Sequence, residues 1–175
     1  PPTHGSIRRQ RQMCIRDRYS CDVLKGKINC EDILEKTYSN SSLNNFEKNK
    51  FKNLLGERYP KFDEMFEEAS IETNIEKNLL AAISFQESQW DPKAKSNMGV
   101  RGMMMVTLET AALVGVEKRL NPEQNIKGGA KYFAMLQEKN KIGPTDPDKL
   151  SITLASYNLG PTNIFNIANS IDKEI

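Results

Sequence analysis

The chain has 175 residues, of which 38% are hydrophobic and 27% charged, enough apolar surface to bury one core and too much for a wholly disordered chain. Ten Gly, eight Pro and three Cys exclude a collagen-like repeat and a disulfide-built miniprotein, and no apolar run has the length of a membrane-spanning helix. The net charge of +2 is uneven: residues 1–20 hold five arginines against the single acid Asp17, so that stretch carries +4 and the other 155 residues carry −2. An argument for nucleic acid from charge therefore rests on the leader alone, and none is expected as a partner.

The chain opens Pro1-Pro2-Thr3 without an initiator Met, as a processed product or a fragment does. Residues 1–19 show no apolar periodicity, and no apolar stretch follows the arginines as in a signal peptide. Their break in composition resembles translated adapter sequence. They are read as a non-native, disordered leader in preference to a basic arm for an anionic surface. Cys21 and Cys30 are compatible with a disulfide in an exported chain or with two free thiols. The only His is His4, so no metal site of Cys and His is expected, and no cofactor.

From residue 44 onward the apolar spacing is helical. Phe46, Phe51, Leu54 and Leu55 predict one helix, stopped at Gly56. Phe62, Met65, Phe66 and Ala69 recur at i, i+3, i+4 and i+7 and predict a second, with Pro60 in its first turn. Asn74 is a candidate cap for a third over residues 75–88, ended before Asp91-Pro92. A short helix over 107–114 has Gly115 as its stop. Asn121-Pro122-Glu123 is the sharpest start signal, with Ile126, Gly129, Ala130 and Phe133 on the inner face of the helix that follows. Gly128-Gly129 within it costs about 1 kcal/mol per glycine against alanine, a cost that close approach of another element or a ligand explains. Asp146-Pro147-Asp148 repeats the start pattern ahead of Leu150, Leu154 and Tyr157. Gly160-Pro161 breaks the chain, and a last short helix follows Thr162. The body, residues 44–175, is expected to be all-α.

Leu80, Ile83 and Glu87 lie at i, i+3 and i+7, so Glu87 continues an apolar stripe near a helix C-terminus. Burial and the negative end of the helix both disfavour its charged form. A carboxylic acid kept protonated near neutral pH is what protonation of a glycosidic oxygen requires. A Glu in a last turn is also commonly exposed at the stripe's edge or paired with a base. Trp90 reads either as a sugar-stacking platform or as a core residue. Met103, Met104 and Met105, after Gly99 and Gly102, read as a flexible apolar wall or as ordinary packing. Tyr157-Asn158 offers a phenol and an amide able to converge on Glu87, and a satisfied buried tyrosine is the competing reading.

Four motifs in order carry a family resemblance over about residues 44–160. Gln86-Glu87-Ser88-Gln89-Trp90, Gly99-Val100-Arg101-Gly102-Met103-Met104-Met105, Asn121-Pro122 through Asn125-Ile126, Gly128-Gly129 and Tyr132, and Ala155-Ser156-Tyr157-Asn158 resemble the soluble-lytic-transglycosylase-like domains, which have a lysozyme-like helical fold. Gly-Met-Met-Met after Val100-Arg101, where most members read Gly-Leu-Met-Gln, resembles the membrane-bound lytic murein transglycosylase F subfamily. In that subfamily a periplasmic solute-binding-like domain precedes the lytic one, and residues 20–43 are read as a remnant of it or as a linker.

The resemblance implies cleavage of the β-1,4 bond between N-acetylmuramic acid and N-acetylglucosamine, with 1,6-anhydro ends formed and no water added. It implies Glu87 as the single acid/base, Ser88 as the residue that orients it, and Tyr157 and Asn158 near acid and sugar. Met103 and Met104 become groove-wall residues, and Met105 replaces a hydrogen-bonding Gln. Peptidoglycan strands would be the partner, in the periplasm and with outer-membrane association through the parent chain. The family domain continues past the Tyr-Asn motif with further helices, one bearing another site tyrosine, whereas this chain ends at Ile175. The resemblance thus implies a C-terminally truncated lytic unit, weakly active or inactive. A lysozyme-like hydrolase using Glu87 with Asp91 or a water, and a non-catalytic peptidoglycan-binding module, are the alternatives.

Overall fold

A computed structural model describes residues 44–143 and 145–171. The leader, the 20–43 segment, His4 and all three cysteines lie outside these residues. Among the described residues seven α-helices follow one another: α1 (Asn45–Glu57), α2 (Asp63–Thr73), α3 (Lys77–Ser88), α4 (Leu108–Val114), α5 (Pro122–Lys139), α6 (Asp146–Leu159) and α7 (Pro161–Ile171), with a 3-10 turn at Tyr59–Lys61. Among the described residues no strand forms beyond isolated bridges of Arg101 to Lys95 and to Val106.

Local chemistry sets most boundaries. Asn44 and Glu47 close a capping box on α1, and the Thr107 side chain accepts from the Thr110 N–H at the start of α4. Gly115 ends α4 at φ +76, and Asn121 with Pro122 opens α5 as the spacing predicts. Five expectations shift. Gly56 does not stop α1, which runs on to Glu57. Asn74 does not cap α3; it ends α2 in the left-handed conformation, φ 55. The Glu76 carboxylate takes the capping role, accepting from the N–H groups of Asn78 and Leu79 at 3.0 and 2.7 Å. Pro60 sits in the 3-10 turn rather than in α2. The cap of α6 is Thr145, one residue before the expected Asp146, and α7 begins at Pro161 instead of after Thr162.

The core lies between α2, α3 and α5, with α6 packed on α5. Phe66, Leu80, Trp90, Met103, Met104, Ile126 and Phe133 are all fully buried there. Both glycines of α5 serve close approach. A Cβ on Gly128 would lie 2.2 Å from Cγ2 of Val116, and one on Gly129 would lie 2.5 Å from Cβ of Met104. What the helix backbone admits at Gly129 is therefore the methionine segment, which α5 draws in beside α3 and α6.

Candidate active site

Glu87 is the penultimate residue of α3 and is half-buried. Its stripe companions Leu80 and Ile83 are buried, so the apolar face of α3 runs into the core and Glu87 emerges where that face meets the surface. Gln89 then stops the helix at φ 55, its N–H donating to the Phe85 carbonyl.

Trp90 follows at φ 56, and its indole turns inward. It is fully buried, its Nε1–H donates to the Ala81 carbonyl at 2.9 Å, and its ring lies 4.8 to 6.1 Å from those of Phe85, Tyr59 and Phe51. The sugar-stacking reading of Trp90 is thereby corrected, because no face of the indole reaches solvent. Asp91 accepts from the Lys93 N–H at 2.9 Å and closes a turn, the role expected for an acid before proline.

The methionine motif forms a tight hairpin tip. Arg101 and Val106 exchange both backbone hydrogen bonds, at 3.2 and 2.9 Å, and residues 102–105 turn between them. Gly102 at φ +82 and Met105 at φ 48 provide the reversal. Four side chains from three helices then hold the tip. Ser88 and Ser84 of α3 donate to the Met103 carbonyl at 2.8 and 3.1 Å. Tyr157 of α6 donates to the Met104 carbonyl at 2.8 Å, and Asn125 of α5 accepts from the Met104 N–H at 2.7 Å. Arg119, just before α5, donates to the carbonyls of Gly99 and Val106 at 2.7 and 3.1 Å.

The tip's hydrogen bonds bring Ser88, Met103, Met104 and Tyr157 together, and Glu87 precedes Ser88 on α3. Ser88 spends its hydroxyl on the tip and on the Ser84 carbonyl. The side chains of Met103 and Met104 are 0% exposed, so the packing reading holds for both and only their backbone serves the tip's bonds. Met105 is the half-exposed member of the three. Asn158 is exposed on α6 and makes none of the bonds that clamp the tip.

Electrostatics link the acid to the phenol. Burial pushes the Tyr157 hydroxyl well above the ordinary phenol range, and the negative charge of Glu87 pushes it further, with a smaller push from Tyr132. Tyr157 thus stays a neutral donor beside the carboxylate. Tyr132, whose ring lies 5.7 Å from that of Tyr157, is raised as well, first by burial and then by the charge of Glu109.

Two participants escaped sequence reasoning. Asn125 was visible only as a motif letter, and Arg119 carried no signal. A buried asparagine on the inner face of a helix, opposite a glycine turn, is the pattern that would have marked the first. Among the described residues no group of three or more His, Cys, Asp or Glu is placed to hold a metal ion.

Residues 64–174 match the Transglycosylase SLT domain. Over 110 residues the chain is 46% identical to membrane-bound lytic murein transglycosylase F 1 of Alkalilimnicola ehrlichii, covering 63% of this chain and 22% of that protein. It is 47% identical over 110 residues to membrane-bound lytic murein transglycosylase F of Saccharophagus degradans, with the same coverage. Against the protein of that name from Maricaulis maris it is 44% identical over 117 residues, 67% of this chain and 26% of the relative. The matched segment thus spans about a quarter of the length of these relatives. An all-helical body, four motifs in order and a match across most of the described residues lead to one assignment: the chain belongs to the Transglycosylase SLT domain family, whose fold is lysozyme-like.

Proposed function

We propose that this chain is the lytic unit of a peptidoglycan lytic transglycosylase, with Glu87 as its single acid/base. In the first step the Glu87 carboxylic acid protonates the oxygen between N-acetylmuramic acid and N-acetylglucosamine, and the C1–O bond breaks. The acetamido group of the muramic residue stabilises the cationic C1. Glu87, now a carboxylate, takes the proton of the C6 hydroxyl as that oxygen bonds to C1. A 1,6-anhydro ring and a free N-acetylglucosamine end result, and no water is consumed.

The observation that carries this reading is the placement of Glu87. It is half-buried at the end of α3, beside the neutral phenol of Tyr157 and the clamped 102–106 tip, in a chain of this family. One carboxylate suffices for the route, whereas an ordinary glycosidase sets two across the scissile bond. Asp91 is engaged in its own turn, which argues against it as a partner acid. In this reading Ser88 holds the tip against α3, Tyr157 and Asn158 face acid and sugar, and Met103 and Met104 support the groove from beneath.

The substrate places the protein in the periplasm. The name these relatives share, membrane-bound lytic murein transglycosylase F, favours attachment at the outer membrane through the parent chain. No helix among the described residues is long and apolar enough to cross a membrane.

Mass analysis of murein digested by the chain tests the reaction type. Anhydro ends lighter than reducing ends by one water support it. Reducing ends alone establish a hydrolase, and intact murein with retained binding establishes a glycan-binding module.

A further inference from the structure

We propose that Asn125 is a positioning residue for the Glu87 site: its carboxamide fixes the main chain of Met104, and through it the Tyr157 phenol beside the acid. The inference rests on the reading of Glu87 given above.

Asn125 is fully buried in the first turns of α5, and each of its polar atoms is used on backbone. Oδ1 accepts from the Met104 N–H at 2.7 Å, while Nδ2 donates to the carbonyls of Arg101 and Arg119 at 3.0 and 2.8 Å. The same residue, Met104, presents its carbonyl to the Tyr157 hydroxyl at 2.8 Å. One amide therefore ties together the entry to the tip, the segment before α5 and the residue that receives the phenol. Few side chains can do this. A neutral group with one acceptor and two donors is needed, which is the inventory of a carboxamide. The carboxylate of an aspartate keeps the acceptor, loses both donors and buries a charge. The space is cut to the amide as well, since a Cβ on Gly102 would lie 2.4 Å from Nδ2.

The consequence is directional. Without the amide the Met104 carbonyl is no longer fixed, water enters beside the phenol, and the Tyr157 hydroxyl swings away from Glu87. Misplacement of a site group by about 1 Å costs on the order of 100-fold in rate. Binding surfaces made by exposed residues are left in place, so the loss falls on kcat.

The test uses the full chain carrying Asn125→Ser, with Asn125→Asp as the second variant and Phe66→Leu as a control that destabilises the core without removing any of the tip's hydrogen bonds. Per folded molecule, Asn125→Ser is expected to lose about 10- to 100-fold in kcat on murein with KM changed less than about 3-fold, while Phe66→Leu keeps its kcat. The Tyr157 titration, isolated by difference from Tyr157→Phe, is expected to fall toward the ordinary phenol range in the Asn125 variants and to stay high in Phe66→Leu. An unchanged titration, or a kcat equal to that of the control, overturns the proposal. Hydrogen exchange in the unaltered chain reads the same link without any variant: the Met104 amide must be protected, and exchange at a free-peptide rate overturns it. Failure of the Glu87 reading is distinguishable, because it shows as activity retained in Glu87→Gln, whereas the titration and the exchange rate do not depend on activity.

Discussion

Replacing Gly102 with alanine is expected to destabilise the fold by about 4 kcal/mol, and three contributions set that figure. At φ +82 an L side chain is strained by roughly 1 kcal/mol or somewhat more. The new Cβ would lie 2.3 Å from the Arg119 carbonyl oxygen and 2.4 Å from Nδ2 of Asn125. Those two atoms are themselves hydrogen-bonded at 2.8 Å, so the methyl wedges them apart. That bond and the neighbouring bond to Arg101 contribute roughly 1 kcal/mol each, and crowding of a packed site adds about 1 kcal/mol or more. Against a total stability of about 5–15 kcal/mol the loss is large. Urea unfolding followed by emission of Trp90, the single tryptophan and fully buried, measures it directly. Gly99→Ala is the matched control: its φ is +77, but nothing lies within 4 Å of the added carbon. It isolates the strain, at about 1 kcal/mol. Equal losses from the two variants would refute the reasoning, since the clamp on the tip would then contribute nothing.

Gly129→Ala in α5 sets a Cβ 2.5 Å from Cβ of Met104, and a net loss of about 2 kcal/mol is expected despite a gain of about 1 kcal/mol in helix propensity. Gly56→Ala, exposed in α1 with nothing within 4 Å, should instead raise the urea midpoint by a stabilisation of about 0.5–1 kcal/mol. Trp90→Phe removes the indole bond to Ala81 and part of the aromatic packing, costing about 2–4 kcal/mol; glycan binding per folded molecule should be unchanged, as circular dichroism beside a pull-down on murein will read. The Asp63 carboxyl is held below its ordinary 3.8 by a Tyr59 hydrogen bond and by Lys77, and Glu72 below its ordinary 4.5 by Lys131. Groups depressed on folding contribute above their unfolded pKa and lose that contribution as pH falls through the folded one. Urea midpoints should therefore decline as pH drops below about 4, and Lys131→Ala should remove the Glu72 part of that decline.

Legibility in the sequence followed the range of the interactions. The Thr107, Gly115 and Asn121-Pro122 boundaries depend on atoms a few residues apart, and they stand where the spacing puts them. The place of Glu87 at the end of a buried stripe was readable for the same reason, because helical geometry alone aligns it with Leu80 and Ile83. Asn74 misled because an asparagine serves equally as an N-cap or as a left-handed stop; which role it takes depended on Glu76 reaching the N–H groups of α3. Trp90 was ambiguous because its burial is decided by Phe51, Tyr59 and Phe85, which come from α1, the 3-10 turn and α3. Met104 packs against the glycine gap in α5, a contact across 25 residues that no local pattern encodes. Asn125 escaped for a related reason. An amide bonded to three backbone groups looks, in sequence, like any polar residue early in a helix.

The central claim is that Glu87 both gives and takes the proton. Purified murein digested by the chain and by Glu87→Gln, at equal folded concentration, tests it most directly through the yield of 1,6-anhydromuropeptides. The account predicts anhydro products from the first and a yield lower by at least about 100-fold from the second, the scale of a lost general acid/base. Equal yields from the two would contradict it and remove Glu87 from the mechanism.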